Sequence, residues 1–206
     1  MSTHTNHTKS HEVYFCTLTC YKWLPLFEEA QAYEAVYNWF SHLRKDKCFV
    51  VGYVIMPNHL HVLLYHTNEN ILLNRLVGEG KRFMAYAIVN SLKANNKQKL
   101  LDELAMGVQE KEKVKGKKHQ VFRLSFDARL CFSEKMIEQK LDYIHNNPVT
   151  GKWMLAESVI DYPYSSALYY ETGKQRLFEV VHYKALNNEE VESEIENSES
   201  PTGDSE

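Results

Sequence analysis

The run Phe49–Tyr65, FVVGYVIMPNHLHVLLY, constrains the fold more than any other stretch of this chain. Two segments rich in apolar and β-branched residues are separated by Pro57-Asn58, a pair with turn chemistry. The pattern predicts an antiparallel hairpin, with Phe49–Met56 as one strand and His59–Tyr65 as its return. Val13–Cys20 (VYFCTLTC) alternates in the same way and predicts a further strand. Ala30–Lys45 places Tyr33, Val36, Tyr37, Phe40 and Leu43 at helical spacing. Ile71 to about Leu92 reads as a long helix whose pattern Gly78 and Gly80 interrupt. Lys93–His119 is polar and lysine-rich and reads mostly as loop, and Val121–Phe126 as a fourth strand. Ser133 is a candidate cap for a helix that starts at Glu134 and turns Ile137, Leu141 and Ile144 inward. That helix must stop near Asn147, because Pro148 follows. The order β-α-β-β-α-β-α predicts an α+β fold, an antiparallel sheet covered by helices in the ferredoxin-like or RRM-like manner.

No linker or internal repeat divides the chain, so 12–186 is expected to form a single domain, between a disordered leader (1–11) and a disordered acidic tail (187–206). That tail carries eight acidic residues and no Lys or Arg; without it, 24 basic residues face 19 acidic ones, so the overall −3 conceals a body of +5. The excess concentrates between Lys81 and Arg123, where eleven Lys/Arg face four Asp/Glu. Such a run is either a solvated face or a phosphate-binding footprint. No apolar run approaches the roughly 20 residues of a membrane span, and the N-terminus lacks the apolar core of a secretory signal. Cys16, Cys20, Cys48 and Cys131 form no CxxC pair and read as reduced thiols. A cytoplasmic chain without membrane partners is the expectation.

On a strand, His59 and His61 project from one face with Leu63, while Leu60, Val62 and Leu64 occupy the other. Two imidazoles at this spacing can chelate one divalent ion, although HxH alone is a weak signal that fits two surface histidines on a half-exposed strand better. A third alternating histidine, as a histidine-triad hydrolase would need, is absent, because position 63 is Leu63. Further on, in LDYIHNNPV, Tyr143 and Asn147 lie four apart on one helix flank.

Taken together, GYVIMPNHLHVLLY (Gly52–Tyr65), KRF (Lys81–Phe83), LDYIHNNPVTGKW (Leu141–Trp153) and YPYSSALYY (Tyr162–Tyr170) resemble the REP-associated tyrosine transposases. These are a branch of the single-tyrosine HUH transposase superfamily, and the resemblance runs from about Val13 to Gly173. It implies an HUH domain in which His59 and His61 hold the metal, Asn147 completes the metal site and Tyr143 is the nucleophile. Asp127 is the only carboxylate in the segment Phe122–Phe132, which matches the family only loosely.

The chemistry agrees with that implication. A phosphodiester repels nucleophiles because its oxygens are negative, and Mg²⁺ or Mn²⁺ held by imidazole and oxygen ligands offsets that charge. Attack by a tyrosine would leave a 5′-phosphotyrosine and a free 3′-hydroxyl, so a strand could be rejoined without ATP. Lys81, Arg82 and the Lys111–Lys118 loop, with Lys113, Lys115, Lys117 and Lys118, become candidate contacts to single-stranded or imperfect REP-like hairpin DNA. The protein is expected to act as a monomer or a homodimer. Two other readings stay open: a catalytically silent nucleic-acid-binding module, and a metal-dependent phosphodiesterase that uses water.

Overall fold

Both strands of the expected hairpin form, and they lie inside a four-stranded antiparallel sheet. A computed structural model describes residues 10–186. The expected tail lies outside these residues, as does the expected leader apart from Ser10 and His11. In chain order the elements are β1 (Glu12–Thr19), α1 (Leu26–Glu29), α2 (Tyr33–Lys45), β2 (Cys48–Met56), β3 (His59–His66) and α3 (Leu73–Ala94). They continue with α4 (Gln98–Met106), α5 (Glu110–Lys113), β4 (Asp127–Cys131), α6 (Glu134–Asn146) and α7 (Ala167–Thr172). The sheet order β2-β3-β1-β4 is the ferredoxin-like order, and it leaves β3 and β1 in the centre.

Both faces of the sheet are covered. On one, Tyr14, Cys16 and Leu18 of β1 and Leu60, Val62 and Leu64 of β3 pack against α2 and α3. On the other, Phe15, Val54, Leu63 and Tyr65 meet Ile137, Leu141 and Ile144 of α6. Each of those three α6 side chains contributes about 1.5–3 kcal/mol by leaving water, which fixes the helix against the hairpin. The ends of α6 follow from sequence: Ser133 Oγ accepts the Met136 amide at 3.3 Å, and Pro148 follows Asn147 in a short 3₁₀ turn. The free edge of β2 is closed by the segment after α6. Ile55 N donates to Tyr164 O, Ser166 N to Tyr53 O and Val181 N to Val50 O, while the Tyr162 and Tyr170 hydroxyls reach Ile55 O and Val51 O.

Three expectations need correction. The fourth strand is Asp127–Cys131 rather than Val121–Phe126. Phe122 makes only an isolated bridge to Cys20, and the carbonyls of 123–125 turn to the Lys81 ammonium instead of a neighbouring strand. The lysine-rich stretch is not mostly loop, since α4 and α5 form within it. In α4, Leu101 and Leu104 are buried, an apolar contact that the surrounding Lys and Glu residues obscure. Finally, α2 starts at Tyr33, because Ala30 closes α1 and Gln31 takes a left-handed φ of 49°.

Candidate active site

Strand alternation puts His59 and His61 on the α6 side of the sheet, and both are buried, at 6% and 5% exposure. They are therefore not the surface pair that HxH alone allowed. Their rings lie 4.6 Å apart between centroids. Each Nδ1 is already engaged. That of His59 meets Asn58 Oδ1 at 2.6 Å, and that of His61 meets Thr17 Oγ1 at 2.9 Å, across the β1–β3 register that pairs the two residues. The Asn58 amide orientation follows from its Nδ2, which donates to the Trp23 carbonyl at 3.2 Å. Oδ1 is then the acceptor, His59 Nδ1 carries the proton, and Nε2 keeps the lone pair a metal would use.

Burial also keeps the imidazoles neutral. It pushes His59 down to about 4; for His61, burial first and then the neighbouring His59 and Lys140 push it to about 3. Among the described residues no group of three or more His, Cys, Asp or Glu could hold a metal. The histidine pair thus fits two positions of a divalent site. The rest must come from an amide oxygen, water or a substrate phosphate.

Tyr143 meets one member of this pair. Its ring is edge-on to His61, with centroids 5.3 Å apart, and edge-on to Phe15 at 6.1 Å, while the side chain is 52% exposed. Phe15 stacks on the other partner, His61, at 5.3 Å. Lys140, one turn before Tyr143, holds its ammonium 4.9 Å from the centre of the Phe15 ring. Asn147 is partly buried and lines a shallow depression with Tyr143, Asn146, Lys152 and Trp153; neither histidine lines it. Asp127 is exposed, opposite Thr17 and hence two strands from His61, about 10 Å at ordinary strand spacing. Its near partner is Arg129, at 3.5 Å.

The basic stretch gathers along a groove of about 1390 Å³ between α3 and the 112–128 segment. Its lining includes Lys81, Arg82, Lys93, Lys115, Lys117, Lys118 and Arg123, against only Glu112 and Asp127. Lys81 points inward: its ammonium donates to Arg123 O at 2.6 Å, and burial, with Lys117 nearby, lowers it to about 8. Arg82 packs on Phe83, while Lys113 and Lys115 pair with Glu110 and Glu112. Asn58, Thr17 and Lys140 went unnoticed in sequence, since their roles depend on neighbours across the sheet. The NH dipeptide was the only local signal.

No family model matches this chain, and no curated protein does. Among solved structures, a REP-associated tyrosine transposase bound to a REP hairpin superposes with a TM-score of 0.59 at 16% identity, covering 88% of this chain and 92% of that one. This chain has the fold of a tyrosine transposase. A candidate transposase from Deinococcus radiodurans R1 aligns at a TM-score of 0.35 and 14% identity, over 71% of this chain and 97% of that one, which is too distant to carry an argument. The transposase fold accounts for the sheet and its helical cover. None of the described helices is long and apolar enough to cross a membrane.

Proposed function

We propose that this protein nicks and rejoins DNA by transesterification, as a member of the REP-associated tyrosine transposases, with Tyr143 as nucleophile. The observation that carries the reading is the edge-on placement of the Tyr143 ring against His61, one of two adjacent buried, neutral imidazoles. His59 and His61 would hold a divalent ion, Mg²⁺ or Mn²⁺, with Asn147 as the candidate amide ligand. The bound ion supplies Lewis-acid neutralisation of the scissile phosphate and lowers the phenol's resistance to ionisation. Tyr143 Oη loses its proton and forms the bond to phosphorus, while the bond from phosphorus to the 3′ oxygen breaks and that oxygen takes up a proton. The product is a 5′-phosphotyrosine and a 3′-hydroxyl. Return attack by a 3′-hydroxyl reverses the exchange, because the bond energy is kept in the ester. Lys140, whose ammonium lies over the Phe15 ring that stacks on His61, would offset charge on the phosphate.

DNA is the partner that the groove fits, because Arg82, Lys93, Lys117, Lys118 and Arg123 line one cleft without a carboxylate partner among the described residues and match a phosphate backbone. The fold relative's REP hairpin is the model for the form of DNA bound. A denaturing gel after incubation with labelled single-stranded DNA and Mn²⁺ tests the reading. A protein–DNA adduct supports transesterification, cleavage without adduct supports hydrolysis, and binding without cleavage supports a silent module.

A further inference from the structure

We propose that Trp23 and Arg123 form a nucleotide clamp beside the histidine pair, the indole stacking on a base and the guanidinium holding the adjoining phosphate of single-stranded DNA. The proposal rests on the transesterase reading for its purpose, since it names how the substrate strand is held.

Trp23 is large and apolar, yet 48% exposed. Its backbone takes a left-handed φ of 61°, directly after Lys22 at 51°, a conformation that non-glycine residues rarely adopt. Several tethers maintain it. Trp23 N donates to Cys20 O at 3.1 Å, and Trp23 O accepts from Asn58, the residue that also orients His59. The indole meets the His59 ring edge-on at 5.7 Å. A base stacked on the exposed part of the indole would therefore lie beside the His59 ring.

Arg123 completes the pair. Its backbone amide donates to Thr19 O at 2.9 Å, at the end of β1, and Lys81 holds the carbonyls that follow. The guanidinium lies 4.9 Å from the indole centre, and no carboxylate among the described residues pairs with it. Its donors can therefore take a phosphate in a forked geometry while it stays stacked. Arg123 also lines the basic groove, so the clamp joins the groove to the histidines. An indole stacks on any base, and this chemistry suits an unpaired strand rather than a closed duplex.

The test measures binding in the Tyr143→Phe background, so that no strand is cut. The probes are a fluorescein-labelled thymidine oligonucleotide about twelve nucleotides long and an abasic strand with the same phosphates. Trp23→Ala is expected to weaken the thymidine strand about tenfold and to leave the abasic strand unchanged, with Trp23→Phe restoring most of the loss. Arg123→Gln is expected to weaken both strands alike and to reduce the salt slope by about one. A Trp23→Ala variant that weakens both strands equally, or neither, overturns the clamp. The two proposals separate cleanly: an adduct in otherwise native protein with no Trp23 effect removes only the clamp. Base-dependent binding through Trp23 with no adduct removes only the transesterase.

Discussion

The side-chain oxygen of Asn58 accepts the Nδ1 proton of His59 at 2.6 Å, and the two residues are adjacent in sequence. Metal-binding imidazoles depend on such partners to fix their tautomer and aim. Asn58→Ala is therefore predicted to weaken Mn²⁺ affinity about 10- to 100-fold. Isothermal titration with Mn²⁺ checks this; an unaltered affinity would show that the Asn58 bond does not serve the metal.

Acid should destabilise the metal-free protein through its buried histidines. Burial lowers His59 and His145 to about 4 and His61 to about 3, against about 6.5 when unfolded. Below about pH 6.5 the unfolded chain takes up protons that the folded one refuses, so stability is full above that point and declines toward pH 4. The urea midpoint in chelator should fall steadily across this window. His145 also holds Ser166 at 2.9 Å, so His145→Gln should flatten the pH dependence even if the variant is less stable throughout. A midpoint that stays level from about pH 7 to 4.5 contradicts the assignment.

Gly78 and Gly80, two residues apart on α3, are predicted to respond oppositely to alanine. A methyl at Gly78 meets nothing within 4 Å, whereas at Gly80 it would lie 2.3 Å from the Trp39 ring. Trp39 cannot retreat easily, because its Nε1 donates to Leu76 O. Gly78→Ala should stabilise by about 1 kcal/mol through helix propensity. Gly80→Ala should cost about 1–3 kcal/mol by overpacking. Urea unfolding of the two variants reads the signs directly.

Local pattern accounts for what the sequence revealed. The hairpin and α6 follow from periodicities of two and 3.6 and from Ser133 and Pro148, all within a few residues of one another. The fourth strand was displaced because the carbonyls of Arg123, Leu124 and Ser125 are held by the Lys81 ammonium, a contact over more than forty residues. The α4 helix was hidden because it is short and buries only Leu101 and Leu104 fully, within a stretch whose lysines mask the period. Within the site, His59, His61 and Tyr143 were legible as motif residues. Thr17 was not, since its link to His61 exists only through strand register.

The groove lysines should act as a phosphate footprint with no base preference. Lys117→Ala and Lys118→Ala are each predicted to reduce the slope of log affinity against log salt by about one, equally for unrelated strands. Lys113 and Lys115 already pair with Glu110 and Glu112, so their replacement should matter less. Fluorescence anisotropy across a salt series measures both effects, and an unchanged slope for Lys117→Ala would remove it from the footprint.

Identification of the tyrosine that becomes attached to DNA tests the central claim most directly. Tyr143→Phe removes one oxygen from a half-exposed ring, so its packing against His61 and Phe15 should survive along with metal and DNA binding. The buried Tyr162 and the half-buried Tyr164, Tyr169 and Tyr170 serve as comparisons. With the native protein, Mn²⁺ and single-stranded DNA, mass spectrometry of the trapped adduct should find a nucleotide on the peptide containing Tyr143. Tyr143→Phe should yield no adduct and no cleavage. A nucleotide on another tyrosine, or an adduct formed by Tyr143→Phe, would contradict the mechanism.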